Sequence, residues 1–511
     1  MSDAFNLCDY FLSPSRLSEI GSRTAIEYLG DRLSYNDLRR LVDSWRARLV
    51  ASGVSAGDRV ALVLYDSPAF VAAFLAGARM GAVSVPINTA LPADDMKFII
   101  ADSGARLVVC EAELEDKLAG VSDAPTIVKV DARRWSKDEA GEAEGQSNAA
   151  PTTDDSPAFM LYTSGSTGTP KGALHRQRAP RDTALTYGAN VLQLTKADRV
   201  YSSSRLFFAY GLGNSLTFPL AAGATVILDC ERPTPERIAQ IFSEQPPTIF
   251  FGVPAVYRAL LDFHARQALD TSTLRLCVSA GEALPAPLFA EWRDTFGLEI
   301  LDGIGSTEML HIFISNRPGQ ARAGASGQVV EGYSARLLDD AGGEAAAEAP
   351  GNLCVKGASA FVGYWNRDDL TDATIQDGWV RTGDVYRRDA DGFYSHIGRS
   401  DDCFKVSGLW VSPVEVESVL AAHPAVIESA VVSARAADGL ATARAYVVIR
   451  PEEDAEAIIA DLRAFAASRL PRYKTPSQFV RVEALPRTAT GKVQRFKLRQ
   501  LGVNSTTEES G

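Results

Sequence analysis

The stretch TSGSTGTPKG, Thr163 to Gly172, packs hydroxyls, glycines and a lysine into ten positions and has no means of building a core. Its glycines let backbone amides turn toward a ligand with no Cβ in the way, its hydroxyls donate hydrogen bonds, and Lys171 adds a positive charge. The guest that suits such a loop is a phosphate chain. It follows SPAFMLY, an apolar run that predicts a buried strand, and precedes the basic side chains of His175, Arg176 and Arg178. The P-loop pattern G-x-x-x-x-G-K-[ST] does not fit. Counted from Gly165, its second glycine falls on Pro170, and Gly172 follows Lys171 where Ser or Thr is required. A solvated Ser/Thr/Gly linker has the same composition, so other segments must decide.

Four segments bear on the question. LDGIGSTEML sets Ser306, Thr307 and Glu308 directly after a predicted strand, where a carboxylate can hold Mg²⁺ against phosphate oxygens; a helix cap with Thr307 capping fits the same residues. In GWVRTGDVYRRDADGFYSHIGR, Asp384 and Arg399 flank a predicted hairpin with turn DADG, placed either to hold ribose hydroxyls or to pair with each other. PRTATGKVQRFKLR presents Lys492 after a glycine, within a basic run that would otherwise be a solvated face. SSSRLFFAYGLGNSL brings together Phe207, Phe208, Ala209, Tyr210 and Gly211, a flat aromatic slot or an ordinary buried segment.

The elements that must position these residues alternate. SYNDLRRLVDSWRARLVASG and SPAFVAAFLAGARMG have helical apolar spacing, while RVALVLY, ARLVVCE, ATVILD, TIFFGV, LRLCVSA and EILDGIG read as strands. A smaller β-rich section comes next, at ARLLD, GNLCVKG and GFYSHIGR. The last ~110 residues then read as a compact α+β domain. The expected fold is therefore α/β, with a large N-terminal domain over 1–400 and a small C-terminal domain over 401–511. The chain has 511 residues, too many for one core, and its 46% hydrophobic and 23% charged content is that of a soluble globular protein. No signal-peptide pattern and no long apolar run appear, and six scattered cysteines lack C-x-x-C pairs, so a cytoplasmic protein with reduced thiols is expected. The net charge of −12 argues against nucleic acid or an anionic membrane as partner.

YTSGSTGTPKG, GIGSTE, RTGD, GRSDDCFKVSG and TATGK together resemble, in order, the adenylate-forming superfamily of acyl-CoA synthetases, adenylation domains and luciferases. The resemblance implies a mobile C-terminal domain and a set of roles. Thr163, Ser164, Gly165, Ser166, Thr167, Gly168 and Lys171 would cradle the β- and γ-phosphates of ATP. Gly281, Glu282, Ala283, Asp302, Gly303 and Ile304 would border adenine, with Ile304 where relatives often carry a stacking tyrosine. Thr307 would meet the α-phosphate, Glu308 the magnesium, and Asp384 with Arg399 the ribose. Lys492 would be the catalytic lysine, Asp401 the hinge, and Ser407, Gly408 and Leu409 part of a coenzyme A tunnel. Phe207 to Gly211, with Gly305, His311 and Ile312, look like the acyl pocket of benzoate-CoA ligases. The likeness implies an ATP- and CoA-dependent ligase for benzoate or a small substituted benzoate, as monomer or homodimer. Hydroxybenzoate, anthranilate and a carrier-protein acceptor remain alternatives.

Overall fold

A computed structural model describes residues 4–121, 125–137, 148–164, 169–407, 409–435, 440–450, 455–487 and 493–504. The chain divides into two compact units, residues 1–335 with 355–380, and residues 336–354 with 381–511.

The first unit is built on two sheets. Among the described residues, one has nine strands in the order Gln328–Val329, Ile312–Ser315, Ile300–Gly305, Leu276–Ser279, Ile249–Gly252, Arg199–Ser202, Thr225–Ile227, Thr24–Tyr28 and Asp31–Ser34. From Ile300–Gly305 to Thr24–Tyr28 its neighbours are all parallel, so their C-terminal ends share one edge. The other sheet has seven, in the order Gly363–Tyr364, Pro170–Arg176, Pro157–Ser164, Val83–Pro86, Arg59–Val63, Leu107–Glu111 and Thr126–Val130.

Alternation along the strands assigns their faces. Val60, Leu62, Leu107 and Val109 pack into a core shared with Ile26, Tyr28 and Val226 of the nine-stranded sheet. Their neighbours Ala61, Val63, Val108 and Cys110 pack the opposite way, against Met96, Ile99 and Ile100 of the helix Ala93–Ser103. The helix Pro68–Met80 lies in the shared core with all thirteen residues buried, as a helix apolar on every side must. Beside it runs Tyr35–Ala51, started by a capping box between Ser34 and Asp37. The far face of the nine-stranded sheet is covered by Pro235–Glu244, Pro254–His264 and Ala286–Phe296.

In the second unit, strands Val426–Arg435, Ala441–Ile449 and Gln478–Arg481 form a sheet. Val431, Ala443, Ala445 and Val447 face helices Pro413–Ala421 and Ala455–Arg469, while Ala430, Val432 and Tyr446 face Leu498 of helix Arg495–Asn504. The predicted strands and helices all form. All six cysteines are free and buried. No helix among the described residues is long and apolar enough to cross a membrane.

Candidate active site

The antiparallel strands Pro157–Ser164 and Pro170–Arg176 set Thr163 directly opposite Lys171, so two of the residues expected to meet phosphate face each other across one strand pair. Tyr162 anchors this pair by donating to Asp102 Oδ2 at 2.6 Å. Gly165, Ser166, Thr167 and Gly168 lie outside the described residues, as do the side chain of Ser164, Gly408 and Lys492.

The parallel strands of the other sheet end at Ser202, Gly252, Ser279 and Gly305, the edge where open α/β sheets take ligands. Past Ser279, Gly281 turns with φ +89°, leaving Glu282 exposed and Ala283 half-buried. Asp302 is 5% exposed and its Oδ1 has no hydrogen-bond partner among the described residues. Burial pushes this carboxyl well above the usual range, while the Ser326 hydroxyl and the amides of Leu284 and Gly303 pull the other way. Gly303 and Ile304 follow in the same strand, paired with Ser315 and Ile314. After Gly305, Ser306 rather than Thr307 caps the short helix Thr307–Met309, because its Oγ reaches the Met309 amide at 3.3 Å. Thr307 and Glu308 are both half-buried in its first turn.

Lys171 lies in a strand of the seven-stranded sheet and Glu308 in the short helix that follows strand Ile300–Gly305 of the other sheet, and Tyr364 joins them. Lys171 Nζ donates to the Tyr364 hydroxyl at 2.7 Å, and that hydroxyl donates to Glu308 Oε1 at 2.5 Å. Among the described residues no cluster of three or more His, Cys, Asp or Glu side chains could cage a metal. A Mg²⁺ ion carried by phosphate oxygens and water needs only one or two protein carboxylates, and the half-buried Glu308 fits that demand.

The segment expected to line the acyl pocket is fixed from outside. Asp66 Oδ1 accepts from the Leu206 amide at 3.0 Å, and Arg205 reaches the Asp229 carbonyl at 2.5 Å. Burial pushes the Asp66 carboxyl up to about 6, against the pull of Arg205. Phe207 is buried in the inter-sheet core and meets the exposed Phe208 edge to face at 4.8 Å. Ala209 and Tyr210 are half-buried, and Tyr210 donates to the carbonyls of Gly252 and Val278 at 3.3 and 3.2 Å. A Cβ on Gly211 would stand 1.9 Å from the Arg205 carbonyl oxygen, so only glycine fits this approach.

Downstream, Gly213–Thr217 is π-helical, as is Ala184–Ala189, and widened turns of this kind gather at functional sites. His311 is surrounded by aromatic rings, at 5.4 Å for Tyr187 of the second π-helical segment and at 5.5 Å for Tyr210 and 4.5 Å for Phe218 of the short α-helices on either side of the first. Burial pushes the His311 imidazole down to about 3, so it is neutral, the Tyr210 backbone pulling slightly upward. Ile312, fully buried, pairs with Gly305. Tyr364, Asn214 and Tyr187 escaped the sequence reading, because no motif marks them.

In the second unit, Asp384 and Arg399 are direct partners across antiparallel strands, with Arg399 Nη1 3.2 Å from Asp384 Oδ1. Burial raises the Asp384 carboxyl, but His396, Arg399 and Thr382 outweigh it and leave the group below its ordinary value. Arg399 also lies 3.7 Å from the exposed Asp401, whose carbonyl takes a bond from Arg499 at 3.3 Å. Ser407, at φ +52°, and Leu409 are exposed.

The family model for AMP-binding enzymes matches residues 16–365, and that for the AMP-binding enzyme C-terminal domain matches 415–492. A benzoate–CoA ligase of Thauera aromatica is 41% identical over 508 residues, covering 97% of this chain and 96% of the relative. The fold is that of solved adenylate-forming enzymes. A crystal structure of an anthranilate CoA ligase in complex with anthranoyl-AMP superposes with TM-score 0.90 at 36% identity, covering 98% of this chain and 97% of the other. A benzoate CoA ligase from Burkholderia xenovorans LB400 superposes with TM-score 0.87 at 40% identity, covering 97% and 100%.

Proposed function

The chain belongs to the AMP-binding enzyme family, and from that premise we propose that it is an AMP-forming aryl-CoA ligase acting on benzoate or a small substituted benzoate. The observation that carries the reading is the hydrogen-bonded row Lys171–Tyr364–Glu308, which links the seven-stranded sheet to the segment after strand Ile300–Gly305, with the aromatic surroundings of His311 beginning three residues further on. A carboxylate oxygen bonds to the α-phosphorus of ATP, the bond to the β-phosphate breaks, and pyrophosphate leaves. The CoA thiol then bonds to the acyl carbon, AMP leaves with one carboxylate oxygen, and the thiol proton passes to solvent. No protein nucleophile is needed, since each substrate supplies its own.

On this reading each residue takes the task that the family resemblance implies. Lys171 and the hydroxyls beside Thr163 hold the β- and γ-phosphates, Thr307 the α-phosphate, and Asp302 with 281–283 the adenine. Asp302 Oδ1, which has no hydrogen-bond partner among the described residues, supports an acceptor for the adenine amino group. Asp384 and Arg399 hold the ribose. Glu308 would hold Mg²⁺, which when bound offsets charge on the phosphates. Lys492 is assigned to the first half-reaction, Asp401 to the hinge, and Ser407 to Leu409 to the CoA passage. The need for ATP and CoA supports work in the cytoplasm. Anthranilate or a hydroxybenzoate is the second reading, supported by the likeness to the anthranilate ligase structure. An acid panel with ATP and CoA, scored by thioester formation, tests the reading. Benzoate or a small ring-substituted analogue should be the best substrate, whereas preference for an aliphatic acid would refute it.

A further inference from the structure

The segment Phe361 to Trp365 lies outside the motifs singled out in the sequence, yet it is fastened to both halves of the proposed phosphate site. Its short strand Gly363–Tyr364 pairs antiparallel with Pro170–Arg176, with Tyr364 opposite Ala173 and Gly363 opposite Leu174. The Trp365 amide donates to the Gly172 carbonyl at 2.8 Å, and the Phe361 amide to the Glu308 carbonyl at 2.8 Å. The Tyr364 amide donates to Thr371 Oγ1 at 2.9 Å. With the backbone held on both sides, the ring is 4% exposed and lies edge to face against Phe361 at 4.8 Å. The hydroxyl therefore sits at a fixed point, 2.7 Å from Lys171 Nζ and 2.5 Å from Glu308 Oε1.

Lysine and glutamate two hydrogen-bond lengths apart attract each other, and the lysine stem is long and flexible enough to close that gap. If the two met, the ammonium would be withheld from phosphate and the carboxylate from the metal. A hydroxyl between them prevents this, since it accepts from the ammonium and donates to the carboxylate, occupying one carboxylate oxygen and leaving both charges in place. The lysine also rests 4.0 Å from the Tyr364 ring centroid, a favourable site for a cation. We propose that Tyr364 is a positioning residue, a spacer that keeps Lys171 and Glu308 from neutralising each other so that both can receive a metal-bound nucleoside triphosphate. This rests on the assignment of those two residues given above.

The test is a double-mutant cycle read by equilibrium binding of Mg·ATP in the absence of acid and CoA, where no turnover occurs. Tyr364→Phe keeps the ring and removes only the oxygen, and an unchanged melting midpoint checks that the fold is kept. Its Kd for Mg·ATP should rise about tenfold, the consequence of a new Lys171–Glu308 pair. Lys171→Ala should weaken binding in the parent but should cost nothing, or restore part of the loss, in the Tyr364→Phe background, because removing the ammonium releases the carboxylate. In steady state, the KM for ATP should rise in Tyr364→Phe while the KM for the aromatic acid stays put. A Tyr364→Phe variant with parental Kd, or two substitutions whose effects simply add, would overturn the proposal while leaving the ligase reading intact. A parent chain that bound no Mg·ATP would instead overturn the ligase reading, and with it the premise of this one.

Discussion

Nε2 of His311 stands 3.1 Å from Oδ1 of Asn214, and Asn214 Nδ2 donates in turn to Ser202 Oγ at 3.3 Å. Because the amide nitrogen is committed to Ser202, the oxygen faces the imidazole, and an amide oxygen only accepts. Nε2 therefore carries the ring proton, and Asn214 sets both the tautomer and the ring orientation in the aromatic pocket. Asn214→Ala should raise the KM for the aromatic acid about tenfold, the cost of a buried bond left unmade, with the KM for ATP unchanged. Equal changes in both would show a general loss of structure.

His175 supplies a prediction in pH. It is fully buried and stacked on Phe159 at 5.0 Å, and burial pushes its imidazole from 6.5 down to about 3. The unfolded chain takes up this proton near pH 6.5 and the folded chain only near 3, so the histidine's contribution is complete above 6.5 and is lost as pH falls toward 3. The slope is about 1.4 kcal/mol per pH unit. His175→Phe removes the titration, so denaturant unfolding at pH 7.5 and 5.5 should show a flatter pH dependence in the variant. Identical slopes would mean that His175 is charged in the folded chain.

Ala209 opens the helix Ala209–Leu212 beside Gly211, whose backbone lies against the Arg205 carbonyl and cannot recede. A larger side chain at 209 has little room to be accommodated by backbone movement. Ala209→Leu should weaken benzoate binding by ~1–3 kcal/mol, the usual cost of overpacking, seen as a higher KM for the acid alone. Unchanged kinetics would place residue 209 away from the ring.

The α/β alternation was legible because period-2 faces such as Val60 and Leu62 against Ala61 and Val63 are written in consecutive residues. Lys171 and Glu308 were legible as candidates because glycine and hydroxyl neighbours mark phosphate chemistry locally. Tyr364 was not, since its task depends on the register of a two-residue strand and on partners 193 and 56 positions away. Asn214 was hidden for a related reason, because a π-helical turn changes which side chains face inward from the order a regular helix implies. The cap at 306–307 was ambiguous in sequence, where two adjacent hydroxyl residues both qualify. Only backbone geometry selects Ser306.

Lys492 lies outside the described residues, and its proposed role separates the two half-reactions. Lys492→Ala should lose adenylate formation by about 10²–10³-fold, the size expected for one preorganised electrostatic donor. Supplied with pre-made benzoyl-adenylate and CoA, it should make thioester at close to the parental rate. Asp401→Pro, which fixes φ near −65° at the proposed hinge, should instead impair one half-reaction far more than the other. Loss of both alike would remove these assignments.

The route through an acyl-adenylate is tested most directly by the fate of the carboxylate oxygens. Benzoate labelled with heavy oxygen is incubated with the protein, ATP, Mg²⁺ and CoA, and the products are analysed by mass spectrometry. One labelled oxygen per turnover should appear in AMP, with none in pyrophosphate and the other retained in benzoyl-CoA. Label in inorganic phosphate together with ADP would mean attack at the γ-phosphorus and an acyl-phosphate route, contradicting the assignment of this chain as an AMP-forming aryl-CoA ligase.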